Sequence, residues 1–170
     1  IFILFIGDGG YSPILRLDRQ AGNPVLWSEG ENAYLLWSKF QENDAIVTVV
    51  DRWKYCDLRM AQIEYKDGRI AVERPISLGL NLLGRCPPIR WRGHTHLPLY
   101  DELNRRGVML VGNDLEFYKH GNIGRNMIQP TVWVRDDVLF TLSRNFKSHH
   151  DTSRLCYSTD GIVWSLPEST

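Results

Sequence analysis

Lys39, Glu102 and Arg144 are three charged side chains that recur at one place in a pattern repeated along this chain, each directly after a polar neighbour: Ser38, Asp101 and Ser143. An arginine presents a planar fork that grips a carboxylate with two hydrogen bonds. Glu102 can act as an acid or base, or can simply pair with Arg144. Asp101 is a second carboxylate beside it, and Lys39 adds positive field. Gathered round one axis, such a set would hold an anion and move a proton next to it. Tyr100 ends the apolar run before Asp101, and His94 and His96 lie on the strand leading to it. The two histidines fall on one face of that strand, but no third ligand accompanies them, so no metal is expected. Each of these residues also has a plain structural reading, because charged strand ends are commonly solvated or paired across sheets. The same two readings hold for Arg154, and for His149, His150 and Asp151 in the loop before it.

The elements that would position these groups are short strands. Three segments resemble one another: Pro24 to Trp27 followed by Tyr34 to Lys39, Pro88 to Trp91 followed by Leu97 to Glu102, and Pro130 to Trp133 followed by Leu139 to Arg144. Each is Pro-x-x-Trp, a turn, and an apolar run ending in polar residues, which is the pattern of a hairpin. Proline is tolerated where a strand begins. Superposed, the segments make Trp37, Tyr100 and Leu142 equivalent, and likewise Lys39, Glu102 and Arg144. Further strands are expected from Asp57 to Tyr65, Val108 to Val111 and Arg154 to Ser158. No window carries a helical stripe. The prolines lie 64 and 42 residues apart, against roughly 40–50 residues for one four-stranded propeller blade. The longer spacing implies an insertion over 41–54. The fold expected is therefore all-β: a β-propeller of three to four blades, split as 1–22 (partial), 23–86, 87–128 and 129–170, out of a larger and expectedly six-bladed ring. A β-sandwich is the alternative.

Composition narrows the function classes. Twenty basic and 20 acidic residues cancel, which argues against a nucleic-acid surface. Three cysteines, Cys56, Cys86 and Cys156, form no CxxC pair and read as small buried hydrophobes rather than zinc ligands. The apolar opening, Ile1 to Ile6, is too short for a membrane span and lacks the basic flank of a signal peptide. It reads as a strand that begins at once, so the chain is expected to be a fragment of a longer protein.

The last segment carries a sharper motif. Tyr157-Ser158-Thr159-Asp160-Gly161-Ile162-Val163-Trp164-Ser165 resembles an Asp-box, a hairpin turn of the form Ser-x-Asp-x-Gly-x-Thr-Trp, here one residue shorter and with Val163 in place of Thr. In that resemblance Ser158, Asp160, Gly161 and Trp164 are structural: the side chains bond turn N–H groups and the Trp packs between sheets. The order Ile128-Gln129-Pro130, hairpin, Ser143-Arg144-Asn145, box is similar to the sialidase superfamily of BNR-repeat propellers, from about Pro87 to Trp164. The resemblance implies an exo-acting glycoside hydrolase (a neuraminidase-type enzyme) acting on terminal sugars of glycans, with no cofactor and an extracellular or periplasmic setting. It makes Arg144 one of a cluster of arginines that grips a sugar carboxylate. It also places a Glu near Ile128 or Gln129, where this chain has Gln129, an amide that hydrogen-bonds but cannot act as a base. The family's nucleophilic Tyr and first Arg would fall beyond Thr170 and before Ile1. Glu102 and Asp101 are then the catalytic candidates, and Arg144, Gln129, Lys39, His96, Tyr100 and Arg154 the substrate-binding ones. Asp51, Arg52 and Trp53 could form a sugar-stacking lip, or the Trp could pack inward. A five-bladed glycosidase working through carboxylates and a non-catalytic propeller that binds glycan or protein remain the alternatives.

Overall fold

A computed structural model describes residues 2–7, 10–16, 21–40, 54–66, 69–72, 76–113, 116–147 and 152–169. Every described regular element is a strand: β1 (Phe2–Gly7), β2 (Gly10–Arg16), β3 (Ala21–Glu29), β4 (Asn32–Phe40), β5 (Cys56–Lys66), β6 (Arg69–Val72), β7 (Ile76–Leu80), β8 (Leu82–Gly84), β9 (Ile89–Trp91), β10 (His94–Asp101), β11 (Arg106–Asn113), β12 (Glu116–Arg125), β13 (Met127–Arg135), β14 (Val138–Asn145), β15 (Ser153–Ser158) and β16 (Glu168–Ser169). Among the described residues no helix is long and apolar enough to cross a membrane. Residues 41–53 of the inferred insertion, Asp51, Arg52 and Trp53 with them, and the loop residues His149, His150 and Asp151 lie outside the described residues.

All pairing is antiparallel and follows chain order. After the β1–β2 hairpin come three sheets of like plan: β3-β4-β5-β6 with β7 also on β5, β8-β10-β11-β12 with β9 also on β10, and β13-β14-β15-β16. The interruptions share one logic. β8 and β9 line the same edge of β10, at Leu99–Asp101 and His94–His96 respectively. They act as one strand broken by Pro87 and Pro88, which cannot donate to a ladder.

The three Pro-x-x-Trp hairpins are present, and the rungs correct the superposition expected from sequence. Val25 faces Leu36 and Gly22 faces Ser38, with a bulge between. Thr131 faces Leu142 and Ile128 faces Arg144, again across a bulge. Arg144 therefore matches Ser38, and Lys39 matches Asn145: both hairpins close on two-residue turns, Gly30-Glu31 and Asp136-Asp137, so Tyr34 aligns with Phe140 and not with Leu139. Stacked rings mark the true register: Trp27 on Tyr34 with centroids 5.4 Å apart, and Trp133 on Phe140 at 5.6 Å. Glu102 belongs to the turn after β10 rather than to a strand end. Burial agrees with the shift, since Trp37 and Tyr100 are 2% exposed while Leu142 is 37% exposed.

Between the sheets lie apolar layers. Val25, Leu36, Leu58 and Met60 of the second sheet meet Leu97, Leu99, Val108 and Leu110 of the third. Trp91, Met109, Val111 and Ile123 of the third meet Met127, Val132, Leu139 and Cys156 of the fourth. Each large side chain so covered contributes about 1.5–3 kcal/mol of transfer free energy. A smaller cluster draws Cys56, Leu83, Tyr100 and Ile128 together from all three sheets and marks where they converge. The cysteines are free thiols, two buried and Cys86 half-buried. Burial pushes the Cys56 thiol up to about 12.

Candidate functional site

Directly against this convergence is a polar cleft in two adjoining parts that share Glu102 and Gln129. One part, about 160 Å³, is lined by Asn23, Arg85, Tyr100, Glu102 and Gln129. The other, about 220 Å³, is lined by Glu102, Ile128, Gln129, Arg144, Asn145 and Phe146. Local backbone explains how these side chains reach it. Asn23 and Gln129 each precede the proline of a hairpin and each adopts a positive φ, 50° and 55°. Such a residue is inserted into its strand as a bulge, which re-aims a side chain out of the ladder. Arg85 follows Gly84 at the break between β8 and β9, and Glu102 opens the β10–β11 turn.

Electrostatics give the cleft its character. Half-buried Glu102 has its carboxyl pushed up by loss of water, although Arg144, Lys54, Arg105 and Arg85 all pull the other way. Burial also raises the Tyr100 phenol, against the pull of Arg85. The Tyr100 hydroxyl accepts a hydrogen bond from Asn23 Nδ2 at 3.3 Å. The arrangement thus sets two arginines beside a carboxyl that holds its proton more readily than usual. It can bind an anion and offer a proton at adjacent points.

Of the residues singled out in the sequence, Glu102, Gln129, Arg144 and Tyr100 are brought together here. The others are placed elsewhere. Asp101 is buried and turned into its own turn, accepting from the Asn104 backbone N–H at 2.9 Å, Asn104 Nδ2 at 2.7 Å and Arg106 Nε at 3.3 Å. Its neighbour Glu102, the first residue of the turn, is half-buried and lines the cleft instead. His96 is buried at the far end of β10, where its ring meets Trp91 edge-on at 5.2 Å and its Nδ1 lies 3.1 Å from the His94 carbonyl. Burial lowers its pKa. His94 bonds instead to Asn113 at 3.1 Å and Tyr118 at 2.8 Å. Among the described residues no three His, Cys, Asp or Glu side chains could hold a metal ion. Lys39 stands on β4 opposite Ala21 and Asp57, and Arg154 on β15 opposite Ser143 and Ser169. Neither lines the cleft.

Sequence reasoning missed Arg85 and Asn23. The signal for Asn23 was present, because Asn23-Pro24 and Gln129-Pro130 hold the same place in two repeats. Arg85 carries a fainter one, a lone charge between the run ending at Gly84 and Pro87.

At the opposite end of β15, Ser158 to Trp164 form a tightly bonded turn. Ser158 Oγ accepts from the Gly161 N–H at 2.8 Å and donates to the Val163 carbonyl at 2.6 Å. Asp160 Oδ1 accepts from the N–H groups of Ile162 and Val163, both at 2.8 Å. These bonds hold its carboxyl below the usual range.

The fold has clear counterparts among solved structures. Trypanosoma rangeli sialidase in complex with the inhibitor DANA superposes with a TM-score of 0.65 at 13% identity, over 93% of this chain and 31% of that one. The chain has a sialidase-like fold. The same enzyme in complex with 2,3-difluoro-KDN gives 0.61 at 14% identity, over 85% of this chain and 27% of that one. In complex with sialic acid it gives 0.54 at 13% identity, over 93% and 30%. The sialidase-like chain spans under a third of these proteins' own length. No protein-family model matches it, and no curated protein matches it in sequence.

Proposed function

We propose that the sheets from Ala21 onward are successive blades of a larger β-propeller, and that the cleft where they converge recognises the carboxylate of a terminal acidic sugar in a sialidase-like glycoside hydrolase. One observation carries the reading: Arg85, Glu102, Gln129 and Arg144 reach a single cleft from separate sheets, directly above the cluster those sheets share. Residues at one end of neighbouring blades converge in this way around a propeller axis. The bonded turn at Ser158–Trp164 fits the structural role of an Asp-box and lies away from the cleft.

In this reading Arg144 receives the sugar carboxylate through charge-assisted hydrogen bonds, and Arg85 adds positive charge from the adjoining part of the cleft. Glu102 donates its proton to the glycosidic oxygen as the bond to the leaving sugar breaks. Water adds to the anomeric carbon and returns a proton to Glu102. Gln129 orients a sugar hydroxyl through its amide and takes no proton.

Hydrolysis of a fluorogenic sialoside by the parent and by Arg144→Ala tests this. Losing a charged, forked hydrogen bond should lower kcat/KM roughly 10–100-fold. A second reading rests on Gln129, the amide standing where a base would serve: a glycan-binding propeller without turnover. Sialic acid binding that Arg144→Ala abolishes, with no hydrolysis by the parent, would select it. Neither binding nor turnover would overturn both.

A further inference from the structure

Beyond the cleft, on the far side of Phe146, the β10–β11 turn and the β12–β13 connection enclose an open basin of about 630 Å³. Four cations line it, Arg105, Arg106, Arg125 and Lys147, together with the amides of Asn122 and Asn126, and no acidic side chain does so among the described residues. Two features show that this is more than scattered surface charge. Arg106 and Arg125 are direct partners across the β11–β12 ladder. Like charges placed opposite each other in an antiparallel pair repel and weaken it; buried Asp101, 3.3 Å from Arg106 Nε, offsets part of this repulsion, and an anion held in the basin would offset more. The backbone beneath is also cross-linked by hydrogen bonds. Arg105 and Asn126 both take positive φ, 52° and 58°, and the Asn126 N–H donates to the Arg105 carbonyl at 2.5 Å, while the Phe146 N–H donates to the Asn126 carbonyl at 2.8 Å.

The available counter-charges are engaged behind the basin. Of the four cations Asp101 reaches Arg106, at 3.3 Å, and Glu102, on the cleft side, feels the charge of Arg105. Arg105 lies over the Phe146 ring, 4.4 Å from its centroid, on the wall that separates basin from cleft. We propose that this basin is an oxyanion site for an acidic polysaccharide, its cations and amides holding a sulfate or carboxylate group of the chain. It is a site distinct from the cleft and does not depend on the cleft's being catalytic.

The test is fluorescence anisotropy with labelled hexasaccharides: a heparin-derived one, a sialic acid oligomer and neutral maltohexaose. Arg105→Asn with Arg125→Gln is the decisive variant, since both positions are exposed and Asn tolerates the positive φ at 105. At least one acidic hexasaccharide should bind, and more weakly as salt is raised. The double variant should weaken that binding at least tenfold, the paired lysine replacements should restore most of it, and Arg135→Gln, which removes an exposed cation at the β13–β14 turn away from the basin, should change it less than twofold. Preference for the heparin fragment would assign a sulfate, and preference for the sialic acid oligomer a carboxylate. Binding that the double variant leaves unchanged, an equal loss in Arg135→Gln, or equal binding of maltohexaose would overturn the proposal.

Discussion

Glu102 is surrounded by cations and still holds its proton more tightly than an ordinary carboxyl, so desolvation outweighs attraction at this position. The sign of the consequence follows. A carboxyl whose pKa rises on folding contributes its stability below the ordinary carboxyl pKa, and loses it as pH climbs through the raised value. At pH 7 the ionised side chain therefore costs stability. Glu102→Gln should melt at the same temperature as the parent or up to about 2 °C higher at pH 7, the effect being screened by solvent at a half-buried site. The difference should vanish near pH 4. A lower melting temperature for the variant at pH 7 would show that the carboxylate is a net stabiliser, held by Arg144 and its neighbours. Arg144 and Glu102 were legible as chemistry because charged residues stood at the ends of apolar runs. Asp101 was legible only as a carboxylate, since nothing in residue type reveals that it turns inward to bond Asn104.

At the scale of elements, the hairpins were readable and their registers were not. Pro-x-x-Trp marks each first strand, but the apolar run after the turn begins one residue earlier at Leu139 than at Tyr34, so matching the runs by their first apolar residue slips every later equivalence by one. That slip is why Lys39 was grouped with Arg144. Hairpin tips also tie neighbouring sheets together. Asp137 accepts from Trp91 Nε1 at 2.9 Å and Arg92 Nη2 at 2.6 Å, and Glu29 meets Arg90 at 2.7 Å. The turn after β15 is another junction. Gly161 has φ 76°, and a Cβ there would lie 2.5 Å from His96 Nε2. His96, grouped by sequence with the binding residues, is thus part of the packing under this turn. Gly161→Ala combines a strained backbone with a clash against a buried ring, and should cost roughly 2–4 kcal/mol in denaturant melts. A loss below about 0.5 kcal/mol would mean that the turn and β10 are not packed as described.

For the molecule as a whole, the matching rungs offer an internal comparison. Leu36 and Leu142 occupy equivalent positions, yet Leu36 is fully buried between two sheets while Leu142 is 37% exposed on the outer face of the last one. Leu36→Ala should cost roughly 2–5 kcal/mol through loss of packing, and Leu142→Ala less than about 1 kcal/mol. In a polypeptide that carries a further sheet against this face, the second value should rise toward the first. Equal costs in the present chain would contradict the difference in burial. Repetition made the all-β architecture visible in the sequence, whereas which faces are covered depends on neighbours that no local pattern encodes.

The outer face of the last sheet also carries the stacked Trp133 and Phe140, with Tyr157 tilted against Phe140 at 6.2 Å. An indole that borders water emits at longer wavelength than one sealed in hydrocarbon. The emission that disappears on replacing Trp133 by Phe therefore isolates one lamp at this edge. Its colour, red when the edge is bare and blue when something settles on it, turns the half-covered ring into an optical gauge of assembly.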